Sequence, residues 1–337
     1  MTQRILITGG AGFVGSHLAE HLLVTTGWDL VVIDGLTYAG RTDRLTDCQG
    51  YDPSRVRLLW HDLRAPIHPW LDDRIGPVDA VLHLAAQSHV DRSIASPAPF
   101  ITANVAATVN LLEWARTRPE LTHIVQVSTD EVYGPAEEGT AHAEWAPVMP
   151  SNPYSASKAC QEAVAFSYWR TYGLPVVIVN IMNMFGERQD GEKFVPLATR
   201  AVLAGDEVPL HGRPGPRGWE ASSRCWLHAR NFADALRWVL GDTTPASFPK
   251  ADRPDRWHVA GDEADVLTVA QMIAEAAGKR LRYRWADFHS SRPGHDHRYA
   301  LDASKIAAAG WKPPVAFAES LERTVHWFAA HPSWLEH

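Results

Sequence analysis

The sequence predicts an α/β fold, a doubly wound parallel sheet with a smaller mixed α/β region toward the C-terminus. Two textures predict it. Short apolar runs (RILIT, LVVIDG, AVLHLAA, HIVQVST) alternate with longer helical patterns such as VGSHLAEHLLVTT and ITANVAATVNLLEWAR. Strands alternating with amphipathic helices build parallel βαβ units, and a sheet covered on both faces gives strands that are apolar almost throughout. From about Phe185 the texture turns Pro/Gly-rich, and GRPGPRGWEASS reads as a long loop before helical spacing returns in ARNFADALRWVLG and VLTVAQMIAEAAG. The expected division places residues 1–180 and 223–262 in a first domain and 181–222 with 263–337 in a second.

The first apolar run, RILIT, leads into GGAGFVGSH, which sets Gly9, Gly12 and Gly15 between a strand and a helix. Glycines there allow a tight turn, close approach of backbone to a pyrophosphate, and close helix–strand packing, with the helix N-terminus facing the phosphates. Asp34 ends the next run, where an acid accepts from the adenosine ribose hydroxyls and repels a 2′-phosphate. The pattern therefore favours NAD over NADP, and GxxGxxG spacing points to the short-chain dehydrogenase branch of dinucleotide-binding folds.

HIVQVST then runs into Asp130 and Glu131. Adjacent carboxylates repel when both are ionised, so one prefers to hold a proton near neutral pH. Ligands of open parallel sheets bind beyond the C-terminal strand ends, which is where Thr129, Asp130 and Glu131 fall. Both acids reach one substrate only if the chain leaves extended geometry there, because successive strand residues point to opposite faces. Further on, NPYSASKA puts Tyr154 and Lys158 on one face of a helix begun by Asn152 and Pro153. Lowering a tyrosine from a pKa of about 10 toward 7 takes roughly 4 kcal/mol. One charge about 5 Å away supplies roughly 3 at an effective dielectric near 20, so Lys158 with an oxidised nicotinamide suffices. A hydride acceptor beside an acid and a base suggests transient oxidation followed by loss of water: a keto group acidifies the neighbouring C–H, a base removes it, and an acid expels a hydroxyl.

The remaining composition narrows the class. The 337 residues carry a net charge of −7, which argues against a general nucleic-acid binder or an anionic-membrane binder. Cys48, Cys160 and Cys225 form no CxxC pair, and the 17 histidines are scattered, GHDH at His295 and His297 being the closest pair. Neither a disulfide framework nor a metal site is expected, and a reducing cytoplasm fits best. No secretory signal and no membrane-spanning run is read from the chain.

With these residues in view, the chain resembles the dTDP-glucose 4,6-dehydratases of the extended short-chain dehydrogenase/reductase superfamily. TGGAGFVGSH, DGLTYAG, HLAAQSHVDRSI, VSTDEVYG, YSASKA, NMFGERQDGEKFVP, RCWLHARNFADAL and RPGHDHRYALDASKI carry the likeness along nearly the whole length. The resemblance implies a lyase with tightly bound NAD, acting on a nucleotide-diphosphate sugar to give a 4-keto-6-deoxy product. It implies that Tyr154 takes the C4 hydroxyl proton with help from Thr129 and Lys158, that Glu131 removes the C5 proton, and that Asp130 protonates the departing C6 hydroxyl. It sets Phe13, Val14, Leu36, Thr37, Tyr38, Asp62, Leu63, Leu84, Ala85 and Ala86 around the cofactor with the three glycines and Asp34. On the substrate side it sets Ser88, Asn183, Glu192, Lys193, Arg224, Arg292 and His295, the two arginines suiting a diphosphate. A homodimer is expected through the helices holding ITANVAATVNLLEWAR and Tyr154. Gln87 replaces a common glutamate, Met182 and Met184 replace polar neighbours of Asn183, and the 213–223 segment is long; these departures leave open a UDP-, CDP- or GDP-sugar. A 4-epimerase or decarboxylase on the same scaffold is the second enzyme reading, and a non-catalytic NAD-binding protein the third.

Overall fold

The computed structural model describes residues 3–216, 218–287 and 296–336. Strands β1 (Arg4–Thr8), β2 (Asp29–Asp34), β3 (Val56–Trp60), β4 (Ala80–His83), β5 (His123–Thr129) and β6 (Val176–Ile181) alternate with helices α1 (Phe13–Thr25), α2 (Thr42–Thr46), α3 (Pro69–Ile75), α4 (Val90–Ala95), α5 (Pro97–Ala115) and α6 (Pro153–Tyr172). With the later strand β11 (Asp255–Val259) they form a seven-stranded sheet in the order β11-β6-β5-β4-β1-β2-β3, every neighbouring pair parallel. The order reverses between β1 and β4, and a crevice opens at such a switch point beyond the strand ends.

Alternation along each strand sorts the core into two layers. Ile5 and Ile7 of β1 join Leu18 and Leu22 of α1 and Phe232 and Leu236 of α8 (Ala229–Asp242) on one face. Leu6, between them, joins Leu111 of α5 and Ala165 and Trp169 of α6 on the other. Both faces are thus buried, which is why the strands read as unbroken apolar runs.

The second region is built on two small sheets. β7 (Asn183–Phe185), β10 (Ser223–His228) and β12 (Asp262–Asp265) form one; β8 (Val208–Gly215), β9 (Gly218–Ala221) and β13 (Tyr283–Asp287) form the other. Helices α7 (Phe194–Ala204) and α9 (Val266–Ala276) pack on them around Val195, Val202, Leu210, Val269 and Ile273. Two corrections to the sequence reading follow. GRPGPRGWEASS is not an irregular loop: Gly212–Gly215 pairs antiparallel with Gly218–Ala221. The composition misleads because Gly212 is needed for packing, a Cβ there falling 2.6 Å from the Glu220 carbonyl oxygen and 3.1 Å from the Trp285 ring. Likewise β10, assigned by sequence to the first domain, hydrogen-bonds to β7 and β12 of the small sheet, while α8 and β11 return to the large one.

Candidate active site

The crevice is built from loops at the C-terminal ends of β1, β2, β3, β4 and β5. After β1 the chain turns at Gly9 with φ of +74°, a conformation that disfavours any side chain. A Cβ on Gly15 would lie 2.2 Å from the Gly9 carbonyl oxygen, so α1 seats against the turn only with glycine there. α1 begins without a side-chain cap on Gly12, leaving its first-turn N–H groups for an anion. Asp34 ends β2 and accepts from the Ala11 N–H at 2.9 Å and the Leu36 N–H at 2.8 Å. Burial raises its pKa; these two hydrogen bonds and the Arg44 charge oppose the shift.

Gly9, Gly12, Phe13, Val14, Gly15, Asp34, Thr37, Asp62, Leu63, Leu84, Ala85, Ala86, Tyr154 and Lys158 line one cleft of about 320 Å³, within the range of small-molecule sites, with Leu36 bonded to Asp34 at its edge. Asp62 is half-exposed and paired with Arg64, which lowers its pKa. His61, Arg64, Asn104, Gln189 and Asp190 complete the wall, and no spacing in the sequence marks them.

Beside this cleft, β5 is buried along its whole length and stops at Thr129. Asp130–Tyr133 is one turn of 3-10 helix, so the chain does leave extended geometry where the acid pair requires it. The Thr129 hydroxyl donates to Asp130 Oδ1 at 2.8 Å and accepts from the Glu131 N–H at 3.3 Å, and it is near enough to the Tyr154 phenol to favour its ionised form. Glu131 Oε2 accepts from Asn152 Nδ2 at 3.0 Å. Asn152 also caps α6, its side-chain oxygen taking the Ser155 N–H in a capping box. The sequence showed Asn152 only as a helix start; its second job is set by the fold. Lys158 Nζ donates to the Val127 carbonyl at 2.8 Å.

The electrostatics separate these groups. Burial, then the charge of Glu131, pushes Asp130 up to about 7. Burial also raises Glu131, but the Asn152 amide and the Arg224 charge favour its ionised form. Lys158 is pushed down to about 8 by burial, with the Glu162 carboxylate opposing. Burial foremost, then Glu131 and Asp130, drives the Tyr154 phenol above its ordinary value, with only Thr129 opposing. That is the reverse of the direction suggested by the Tyr–Lys spacing, because burial and two nearby carboxylates set the sign, while Lys158 Nζ is turned to the Val127 carbonyl. Within this chain alone, Tyr154 is a neutral phenol.

On the far wall, Ser88 and Lys193 line the cleft. The Arg92 guanidinium lies 4.1 Å over the Tyr38 ring, joining the cofactor-side loop to α4. Glu192 pairs with His89 at 3.0 Å, Arg92 at 3.2 Å and Lys193 at 3.5 Å. Asn183 opens β7 half-buried. Arg224 donates to the carbonyls of Ser223 and His297 (2.7 and 2.8 Å) and of Asp296 (2.7 Å), and lies 4.8 Å over the Tyr299 ring. These carbonyls occupy η nitrogens that the sequence reading reserves for a diphosphate. Arg292 and His295 lie outside the described residues. Of the departures, Gln87 lines the cleft, whereas Met182 is buried behind the turn with Val132 and Tyr133, and Met184 packs on the α1–α8 layer.

Residues 6–324 match the GDP-mannose 4,6 dehydratase family. dTDP-glucose 4,6-dehydratase 1 of Escherichia coli K12 is 35% identical, across 99% of this chain and 95% of that protein. The dTDP-glucose 4,6-dehydratase of Streptomyces niveus is 37% identical with the same coverage. Among solved structures, DesIV of Streptomyces venezuelae, a dTDP-glucose 4,6-dehydratase crystallised with NAD and TYD bound, superposes with a TM-score of 0.85 at 36% identity, covering 99% of both chains. By these matches over nearly its whole length, on a sheet of the doubly wound order, the chain belongs to the dTDP-glucose 4,6-dehydratase family.

Proposed function

We propose that this chain is a NAD-dependent dTDP-glucose 4,6-dehydratase, which oxidises C4 of the sugar, eliminates water across C5 and C6, and reduces C6. The observation that carries the reading is the Asp130–Glu131 pair, folded into a turn at the end of β5 with Thr129 bonded to Asp130 and all three acting on the Tyr154 phenol. The residues fit NAD: Gly9 and Gly15 leave no room for a Cβ, the uncapped α1 faces the cleft, and Asp34 lines the cleft where it would accept from ribose hydroxyls. When bound, NAD supplies the hydride acceptor at C4, a positive charge, and the hydride returned to C6.

Tyr154 takes the C4 hydroxyl proton, with Thr129 holding the phenol and Lys158 supplying a cation. Glu131, whose ionised form Asn152 and Arg224 favour against burial, removes the C5 proton. Asp130, raised to about 7, protonates the C6 hydroxyl so that it leaves as water. Two adjacent carboxylates, both raised by burial but with the charge of Glu131 raising Asp130 further, divide acid and base work in this way. Ser88, Asn183, Glu192, Lys193, Arg224, Arg292 and His295 form the sugar-nucleotide side. Residues 1–180 with the α8–β11 segment hold NAD, and 181–222 with 263–337 supply most of the substrate side.

Incubation with dTDP-, UDP-, CDP- and GDP-glucose tests this reading. Loss of water from dTDP-glucose at the highest kcat/KM is the expected result; preference for another nucleotide would move the assignment to that sugar, with Gln87 the first residue to exchange for glutamate.

We also assign a homodimer. Ile101, Val105 and Val109 of α5 and Ala163 and Val164 of α6 line an open apolar groove that a second copy would cover. Sedimentation is expected to give a dimer at micromolar concentration, and V105E to give monomer; a wild-type monomer would remove the assignment. Cys48, Cys160 and Cys225 are free, which suits a reducing cytoplasm. Among the described residues no helix is long and apolar enough to cross a membrane.

A further inference from the structure

A buried polar chain runs behind the acid pair, away from the cleft. Asn180 of β6 donates its Nδ2 to the Thr129 carbonyl at 3.0 Å and to Glu162 Oε1 at 2.7 Å. Glu162 Oε2 accepts from Arg256 Nη2 at 2.7 Å. Arg256 Nη1 then donates to the Tyr133 hydroxyl at 2.6 Å, and that hydroxyl donates to the Glu144 carbonyl at 2.9 Å and also meets His258 Nε2 at 2.8 Å. All five side chains are buried, the most exposed of them, Arg256, at only 4%. The two ends of this chain are the two ends of the 3-10 turn: Thr129 is its cap and Tyr133 its last residue. Everything between them, Asp130 and Glu131 included, is suspended between a pinned carbonyl and a pinned ring.

A buried ion pair is weak evidence for stability, since apolar replacements are often no less stable. Its arrangement here points to geometry instead. We infer that Arg256 and Glu162 are positioning residues for water elimination, fixing both ends of the turn that aims Asp130 and Glu131 at C6 and C5. The inference rests on the dehydratase reading. It separates the steps of that reaction, because Tyr154 and Lys158 stand on α6, whose Asn152 cap meets the turn at Glu131 and not at its Tyr133 end. Misplacing a catalytic group by about 1 Å can cost on the order of a hundredfold in rate, so small slack at Tyr133 suffices.

Arg256→Met would leave Glu162 buried without its partner and can fail to fold. Glu162 also lies near Lys158, so its removal would disturb oxidation as well. The informative variants are therefore R256K, which keeps a cation beside Glu162 but loses the fork to Tyr133, and Y133F, which leaves the ion pair intact. Each would be mixed as NAD-loaded enzyme with dTDP-glucose, following the reduced-nicotinamide absorbance and, by rapid quench and mass spectrometry, water loss. The expected result is C4 oxidation within about twofold of wild type and water loss slowed about tenfold or more, so that reduced cofactor accumulates. Proportionate loss of both steps, or no loss of either, would overturn the inference. A wild-type enzyme inert toward dTDP-glucose would instead overturn the functional reading on which it rests.

Discussion

Glu131→Gln should oxidise dTDP-glucose at C4 and go no further, with water loss falling by about a thousandfold, the middle of the range for general acid–base groups. The amide keeps the shape and the contact with Asn152 Nδ2, since its oxygen still accepts. It removes the negative charge that takes the C5 proton. It also removes the charge that helps raise Asp130, so the Asp130 carboxyl should titrate lower in this variant. The measurement is single-turnover quench with separate detection of reduced cofactor and dehydrated sugar. Retained water loss would mean that another group is the base.

Tyr154→Phe should act one step earlier, lowering kcat by roughly a thousandfold with KM changed little, so that no reduced cofactor appears. The phenol is held neutral by burial and by the two carboxylates, so its proton-accepting form is stabilised only when cations face it. This sets the sign of the pH dependence. Lys158 is charged below about 8 and loses that charge as pH rises through it. Asp130 carries the acid proton below about 7 and loses it above. Both shifts make the alkaline limb fall, while protonation of Glu131, itself raised by burial, makes the acid limb fall. The wild-type profile should be a bell whose limbs belong to the coupled carboxylate pair and to Lys158. Asp130→Asn should be slow and should lack the limb near neutrality. A flat profile in the wild type would contradict the assignment.

How far the sequence carries this account differs by part. The sheet was legible because its strands are buried on both faces and its crossovers are helices. The need for a turn at Asp130 followed from strand alternation alone. The β8–β9 hairpin was hidden by Pro and Gly, because what makes Gly212 necessary is the Glu220 carbonyl across the strand pair and, behind it, the ring of Trp285, which arrives from a strand much later in the chain. Trp219 stacks on the same ring with planes 6° apart, a contact with no local signature. Arg224 was legible as a charge beside the site, but not as a group already donating to three backbone carbonyls. The direction of the Tyr154 shift was illegible for a related reason: spacing gives the nearest lysine, whereas burial and the folded-back carboxylates decide the sign.

The central claim is that Glu131 and Asp130 eliminate water from a sugar transiently oxidised at C4. Conversion of dTDP-glucose in deuterated water, read by mass spectrometry and NMR, tests it most directly. The account predicts a 4-keto-6-deoxy product with one solvent deuterium at C5 in the wild type, and no dehydrated product from E131Q. A 4-epimer formed without loss of water, or a dehydrated product carrying no deuterium at C5, would contradict it.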